Sequence, residues 1–416
     1  MPDAHVVAII GGACAGSTAA NTLAEAGFQV VVFEQNPKPY GKIEDGLPRW
    51  HSIQRSKEYV KIDARLVHPN IAYVPNTKLG TDITFDEMYD NWGFSTILLG
   101  NGAWNDRPVD VEGIDEYIGK GLIYQNPFIY WYNHKNEKEY DGPSYEVPEN
   151  TAIFGGGLSS IDVMKAVQME AYERALSKNG VECTMNDLVH KGITKFCEDR
   201  GIDPDSLGVE NCTIYYRRRK FDMPLAQQKD RTDEAKAKAE ATRAKILDMA
   251  QAKFRFIFQE RHLAKEMIIE DGRLVGIVMS ETRVEGRKAF PIEGTEKEVR
   301  HPLFIGSIGS IPEPIEGLEM SGAFYKFEDW DLGIYGPKEN VFGVGNAVTG
   351  QGNIVLSMKH AKVVAEHIIG EYETREKLAE SQVNEIMERV KARQAEVDYD
   401  GDYKAWIARV IPADLE

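Results

Sequence analysis

Two glycine-rich turns, each set between an apolar run and a helical pattern, carry the clearest chemical signal in this 416-residue chain. The first, GGACAG at residues 11–16, follows HVVAII at 5–10 and precedes a helical stretch at 17–26. Such a turn lets backbone N–H groups at the helix start face an anion such as a pyrophosphate, where the helix dipole also favours negative charge. Gly11 and Gly16 hold the outer positions of a G-x-G-x-x-G pattern, Ala13 takes the middle one, and Cys14 and Ala15 complete the turn. Alanine leaves less room than glycine for a phosphate to approach. The next apolar run, VVVF at 30–33, ends in Glu34, 23 residues after Gly11, from where a carboxylate can accept hydrogen bonds from both hydroxyls of a ribose. A glycine pattern alone is weak evidence. Strand, turn, helix, strand and acid in this order describe a dinucleotide-binding βαβ unit.

The second turn, GGGLSS at 155–160, follows TAIF at 151–154 and repeats the logic through Gly155, Gly157, Leu158 and Ser159. Ser160 replaces the last glycine, a position that mainly sets helix–strand packing. A helical pattern continues through Ile161, Val163, Met164 and Val167. Farther on, IYYRRRK at 214–220 reads as a strand that finishes in four cations. A basic run is usually a solvated face. At a strand end after a dinucleotide turn, however, Arg217 and Arg218 offer planar forks that suit a ribose 2′-phosphate, where an acid would select a 2′-hydroxyl.

The elements that must position these groups imply an α/β protein with two Rossmann-like nucleotide-binding domains, one inserted into the other. ILL at 97–99 followed by GNGA at 100–103, with Gly102, reads as a buried strand meeting a turn, and residues 107–114 as a linker. LFIGSIG at 303–309 repeats the strand-to-glycine pattern. The chain then returns to a strand at 340–344, a glycine-rich loop through Gly352 and an amphipathic helix over 354–369. The expected domains are 1–106 with 310–416, enclosing 107–309, the latter with helical insertions. Residues 177–208 lack a sustained apolar period, 229–252 predict a solvated helix, and 372–395 predict a charged helix packed on the surface.

Charge and cysteine usage narrow the partners. The formal net charge of −17 opposes attraction to phosphate backbones and anionic membranes, so nucleic acid is not an expected partner. Cys14, Cys183, Cys197 and Cys212 lie far apart, without the close spacing of zinc, iron–sulfur or redox-disulfide sites, and the histidines show no metal-ligand spacing, so no metal is predicted. No apolar run reaches the ~18 to 20 residues of a membrane span, and Met1 leads almost directly into a strand in place of a signal peptide, which implies a cytoplasmic protein. Leu415 and Glu416 read as a vector-derived remnant.

Taken together these motifs resemble the FAD- and NADP-dependent reductases that include adrenodoxin reductase (ferredoxin–NADP reductase) and the glutamate synthase small subunit, over most of the chain. PYGKIEDGLPRWH at 39–51 looks like the stretch after the FAD ribose acid, with Gly41 in its aromatic-glycine element. FIYWYN at 128–133 is similar to a segment of the adrenodoxin reductase branch, and YRRRKFDMP at 216–224 to the NADP-phosphate motif of the glutamate synthase branch. By the same resemblance GNAVTGQGNI at 345–354 meets the flavin through its backbone, which assigns Gly345, Asn346, Gly352, Asn353 and Ile354 to FAD. Many relatives carry Asp where this chain has Asn346, and the adrenodoxin branch carries Trp. Asn346 can still hydrogen-bond but brings no charge. His51 matches a histidine of the adrenodoxin reductase pattern, which implies a catalytic place near the isoalloxazine; as a residue type it suits a hydrogen-bonded loop equally well.

The resemblance implies that residues 1–106 with 310–416 bind FAD, that 107–309 binds NADP(H), and that hydride passes between the two cofactors while electrons leave to, or arrive from, a ferredoxin-like or iron–sulfur protein or subunit. The flavin performs that chemistry and the protein orients it. Three rivals stand beside this reading: a disulfide reductase, opposed by the missing cysteine pair; a flavin oxidase or monooxygenase; and a flavin-binding subunit that serves electron relay or assembly. Self-association is compatible with each.

Overall fold

The computed structural model describes residues 2–138, 140–226, 228 and 232–410. Leu415, Glu416 and the first residues of the basic stretch from 229 lie outside them. The chain is α/β and divides into two compact units, Met1–Asn105 with Ser310–Glu416, and Asp106–Gly309.

The first unit opens with β1 (Val6–Ile10), α1 (Cys14–Glu25) and β2 (Gln29–Phe33), and continues through α2 (Ser52–Leu66), β3 (Ile71–Val74) and β4 (Thr96–Leu99). These four strands run parallel in the order β4-β1-β2-β3. All five residues of β1 are buried, as in a strand covered on both faces. The helix after β1 starts at Cys14, three residues before the apolar pattern suggests, so the glycine turn is itself the first helical turn. Glycine is a poor helix former and disguises this. Gly16 is needed there because a Cβ would stand 1.8 Å from the Gly11 carbonyl oxygen.

In the second unit, β5 (Leu122–Tyr124), α3 (Gln125–His134), β6 (Ala152–Gly155), α4 (Leu158–Lys178) and two short helices, α5 (Met185–Lys191) and α6 (Ile193–Glu198), precede β7 (Thr213–Tyr216). The segment without an apolar period is therefore helical. Helices of six or seven residues are too short to show a period, yet they bury Leu188, Ile193, Phe196 and Cys197 completely. α7 (Asp233–Phe254) is the charged helix expected at 229–252, and β8 (Ile257–Glu260) follows it. An antiparallel sheet absent from the sequence reading comes next: β9 (His262–Glu270), β10 (Arg273–Glu285), β11 (Lys288–Pro291) and β12 (Lys297–Arg300). β13 (Phe304–Ser307) then enters the parallel sheet, whose order is β5-β13-β6-β7-β8.

Returning to the first unit, β14 (Phe327–Asp329), β15 (Ile334–Tyr335) and β16 (Val341–Gly343) extend its sheet to β14-β15-β16-β4-β1-β2-β3, with β16 parallel to β4. α8 (Asn346–Thr349) and α9 (Ile354–Tyr372) follow, and α9 lies along α1. The charged helix expected over 372–395 is α10 (Glu380–Glu396), separate from α9, and it is no surface appendage. Val383, Ile386 and Val390 are buried in one core with Phe85, Met88 and Trp92. Their i, i+3, i+7 spacing makes a narrow apolar stripe that the charged majority hides. α11 (Tyr403–Arg409), which the sequence reading omitted, buries Tyr403 and Trp406. Replacing Ile386 with Ala is expected to destabilise the protein by about 2–4 kcal/mol through lost contacts and a cavity. Urea unfolding followed by circular dichroism measures this; a loss under ~0.5 kcal/mol would return α10 to the surface.

Candidate functional site

In the first unit the turn after β1 is tied down on every side by protein atoms. Gly11, at φ +96°, donates its N–H to the Phe33 carbonyl at 2.7 Å, and a Cβ there would stand 2.6 Å from the Gly100 oxygen. Ala13 is the N-cap of α1. Its methyl lies 3.1 Å from where a Cβ on Gly41 would be, and Gly41 has φ +48°, so the 39–51 stretch packs on Ala13 at a position that suits glycine. Ala15 meets Gly345 in the same manner, its Cβ 2.5 Å from a Cβ built on Gly345 at φ +66°. Gly102, at φ +75°, lies in the loop that leaves β4, beside Trp104.

Glu34 completes this cluster. It is 3% exposed; Oε2 accepts the Gly12 N–H at 2.8 Å and Oε1 the Asn36 N–H at 3.0 Å. Burial pushes its carboxyl up to about 7, against the pull of these N–H donors. A carboxylate has about four acceptor positions, so two remain for hydroxyl donors. Asn101 was not singled out in the sequence, yet its buried Oδ1 has no partner among the described residues while its amide donates to Tyr325.

The 345–354 segment folds on itself. Asn346 Oδ1 accepts the Gly352 N–H at 2.7 Å, and Asn353 caps α9 by accepting the N–H of Leu356 at 3.1 Å. Ile354 is the first residue of α9 and is half-buried. His360, also missed, accepts the Gly345 N–H at Nδ1, 3.1 Å away. His51 is the N-cap residue of α2, makes no side-chain hydrogen bond to that helix start, and is half-buried beside Trp50.

In the second unit Gly155 ends β6 and Gly157 is the N-cap of α4, with Leu158 and Ser159 exposed at its first turn. Ser160 is buried and bonds the Gly157 carbonyl at 2.7 Å, which replaces glycine packing by a hydrogen bond. Tyr216, the last residue of β7, lies against Gly156, where a Cβ would come within 2.3 Å of its ring. The arginines that follow begin one residue after this contact. Arg219 pairs with Asp222 through two nitrogens at 2.9 and 3.0 Å, and Arg218 reaches the Asp222 carbonyl at 3.2 Å. Arg217 is exposed, and its guanidinium has no partner among the described residues. Asp222 was missed, although its i, i+3 spacing from Arg219 signals the pair.

α1 and α4 have neither a side-chain cap nor an acid in the first turn, as is also true of α2, α3 and α6, but α1 and α4 alone of these five start behind a glycine-rich turn at a strand end. Thr184, Thr232, Asn353 and Asp402 cap other helices. Bare N–H groups behind a glycine turn suit an anion.

A model of the NAD(P)-binding Rossmann-like domain matches residues 9–69. The mitochondrial NADPH:adrenodoxin oxidoreductase of Arabidopsis thaliana is 22% identical over 75% of this chain and 69% of its own. The glutamate synthase [NADPH] small chain of Bacillus subtilis is 30% identical over 40% of this chain and 33% of its own. The chain is a relative of NADPH-dependent oxidoreductases. It spans about half the length, or less, of most curated relatives it matches. Its fold is that of Mycobacterium tuberculosis FprA, solved in complex with NADPH, with a TM-score of 0.69 at 18% identity over 94% of this chain and 91% of that one. No helix among the described residues is long and apolar enough to cross a membrane.

The Glu34 environment has a measurable consequence. Its folded-state pKa lies above the unfolded value, so its contribution to stability is present below about pH 4.5 and is lost as pH rises through about 7. A shift of that size is worth about 3 kcal/mol. In nucleotide-free protein, Glu34→Gln is expected to remove this decline, measured as urea-unfolding stability from about pH 4.5 to about pH 8. Parallel pH profiles for the two proteins would show that Glu34 is ionised without penalty.

Proposed function

We propose that the chain is an FAD-dependent oxidoreductase that exchanges hydride between NADP(H) and FAD and passes electrons to or from an iron–sulfur protein partner. The observation that carries this reading is the pair of uncapped helix starts behind glycine turns, one with a buried acid bonded to Gly12, the other with Tyr216, the residue before the arginines, packed on Gly156. Residues 1–106 with 310–416 would hold FAD. The N–H groups at Ala13, Cys14, Ala15 and Gly16 would meet the pyrophosphate, with Gly11 and Gly41 lining the turn; Glu34 would accept from the ribose hydroxyls; and Gly102 with Gly345, Asn346, Gly352, Asn353 and Ile354 would border the flavin side. His51 is assigned a place near the flavin by resemblance.

Residues 107–309 would hold NADP(H) at Gly155, Gly157, Leu158 and Ser159, with Arg217 and Arg218 on the 2′-phosphate. Once bound, FAD supplies hydride acceptance and stepwise electron release. The protein's own part is to bind, orient and neutralise charge. The relatives named for adrenodoxin and for glutamate synthase support a protein partner. The thiols support an exit other than a disulfide. All four cysteines are free; burial pushes Cys14 up to about 12 and Cys183 up to about 11, and raises Cys197 and Cys212. None is a thiolate at neutral pH, the form that thiol–disulfide exchange requires. Free thiols also suit the cytoplasm.

Purified protein is expected to be yellow and to release about one FAD per chain on denaturation, as one fingerprint implies. Colourless protein that cannot be reconstituted with FAD would remove the central claim. Replacing Arg217 and Arg218 together with Ala is expected to cost about 2–4 kcal/mol in NADPH binding while NADH binding barely changes. Isothermal titration with both nucleotides decides this; equal losses would assign the arginines to the fold.

A further inference from the structure

The loop that opens at Gly345 is held by a histidine that no sequence motif marks. Gly345 is a joint with three ties. It faces Ala15 in the first turn of α1, where a Cβ would stand 2.5 Å from the Ala15 methyl, and its carbonyl accepts the N–H groups of Val348 and Thr349 at 3.2 and 2.9 Å. Its own N–H meets His360 Nδ1 at 3.1 Å. The other ring nitrogen, Nε2, stands 3.1 Å from the Trp330 carbonyl in the turn between β14 and β15. A carbonyl only accepts, so Nε2 carries the hydrogen and Nδ1 keeps the lone pair that Gly345 requires. Trp330 in turn packs on Phe324, whose ring fills the space against Gly350 at the far end of the loop. One neutral imidazole thus links α9, the β14–β15 turn and the loop.

We propose that His360 is a positioning residue that fixes the 345–352 loop against the α1 turn by accepting the Gly345 N–H, and so sets how firmly the flavin is held. The effect on flavin rests on the function proposed above; the tie itself belongs to the protein. Protonation at Nδ1 converts the acceptor into a donor facing a donor, so the tie breaks in acid while the Trp330 bond survives. Burial lowers the pKa of His360, outweighing the Trp330 carbonyl and the Asp331 carboxylate, which raise it; Asp331 is the charged side chain that bears on the ring among the described residues. The neutral form therefore prevails at neutral pH and yields as pH falls below the ordinary histidine value of about 6.5.

The test compares His360→Asn, whose amide oxygen can stand near Nδ1 and accept at any pH, with His360→Leu, which cannot accept. FAD release is followed by recovery of free-flavin fluorescence, and amide exchange of the peptide 344–352 by mass spectrometry, corrected for intrinsic rates. At about pH 8 His360→Leu is expected to release FAD roughly tenfold faster, the worth of one hydrogen bond, and to lose protection in that peptide. Wild type is expected to approach the Leu variant as pH falls below about 6.5, while His360→Asn keeps its protection. Equal losses for Asn and Leu, or a wild-type profile without pH dependence, would overturn the proposal. If the protein binds no FAD, the flavin reading fails by itself, and the exchange profile still decides whether His360 holds the loop.

Discussion

The first turn of an α-helix presents N–H groups that its own ladder cannot bond, and the arrangement of both units follows from leaving those groups bare in α1 and α4. A side-chain cap would satisfy them and block an anion. At α1 the preceding strand also delivers the chain through a tight turn, where a Cβ at Gly16 would stand 1.8 Å from the Gly11 oxygen. The neighbouring strand end must then supply a group matched to the ligand's next part. In one unit this is a buried carboxylate; in the other it is a set of guanidinium groups. Under the proposed function, the same backbone device would take two specificities from what stands one strand away.

Departures from the glycine pattern are compensated locally. Ala13 in place of glycine is matched by Gly41, and Ser160 in place of glycine by its hydrogen bond to Gly157. Each replacement moves the small residue, or the polar contact, to the partner side of the same interface. A glycine count within the motif alone undervalues this turn, because the space it needs is shared with residues that are distant in sequence.

The α/β class and both glycine turns were legible because strand burial and glycine act locally. Val6–Ile10 is apolar throughout, and Glu34 follows directly on Val30–Phe33. The antiparallel sheet was missed although a signal was present. Asp271 and Gly272, at φ +50° and +72°, form a two-residue hairpin turn between β9 and β10. β9 is half-exposed and charged, while β10 buries Leu274, Ile277, Met279, Ser280 and Thr282, so neither shows a clean alternation in the sequence. α10 was misjudged for the opposite reason, since three buried residues among many charged ones lower the average but still define a face. The ties of His360 and Asn101 were out of reach: their partners are set by where α9 and the β4 loop lie in space, and no spacing encodes that.

The sheet of the first unit closes only when Val341–Gly343 lies beside Thr96–Leu99, with the whole of Asp106–Gly309 between them. During synthesis β4 leaves the ribosome early, and one of its edges waits unpaired until the last third of the chain appears. The second unit, by contrast, is continuous and can condense as soon as it is made. The thermodynamic cost of so long a detour is small, since lengthening a loop tenfold adds only about 2 kcal/mol of closure entropy. The kinetic exposure is larger, because an open apolar strand edge is a template for wrong pairing. The order in which the halves fold therefore decides how long that edge stays open.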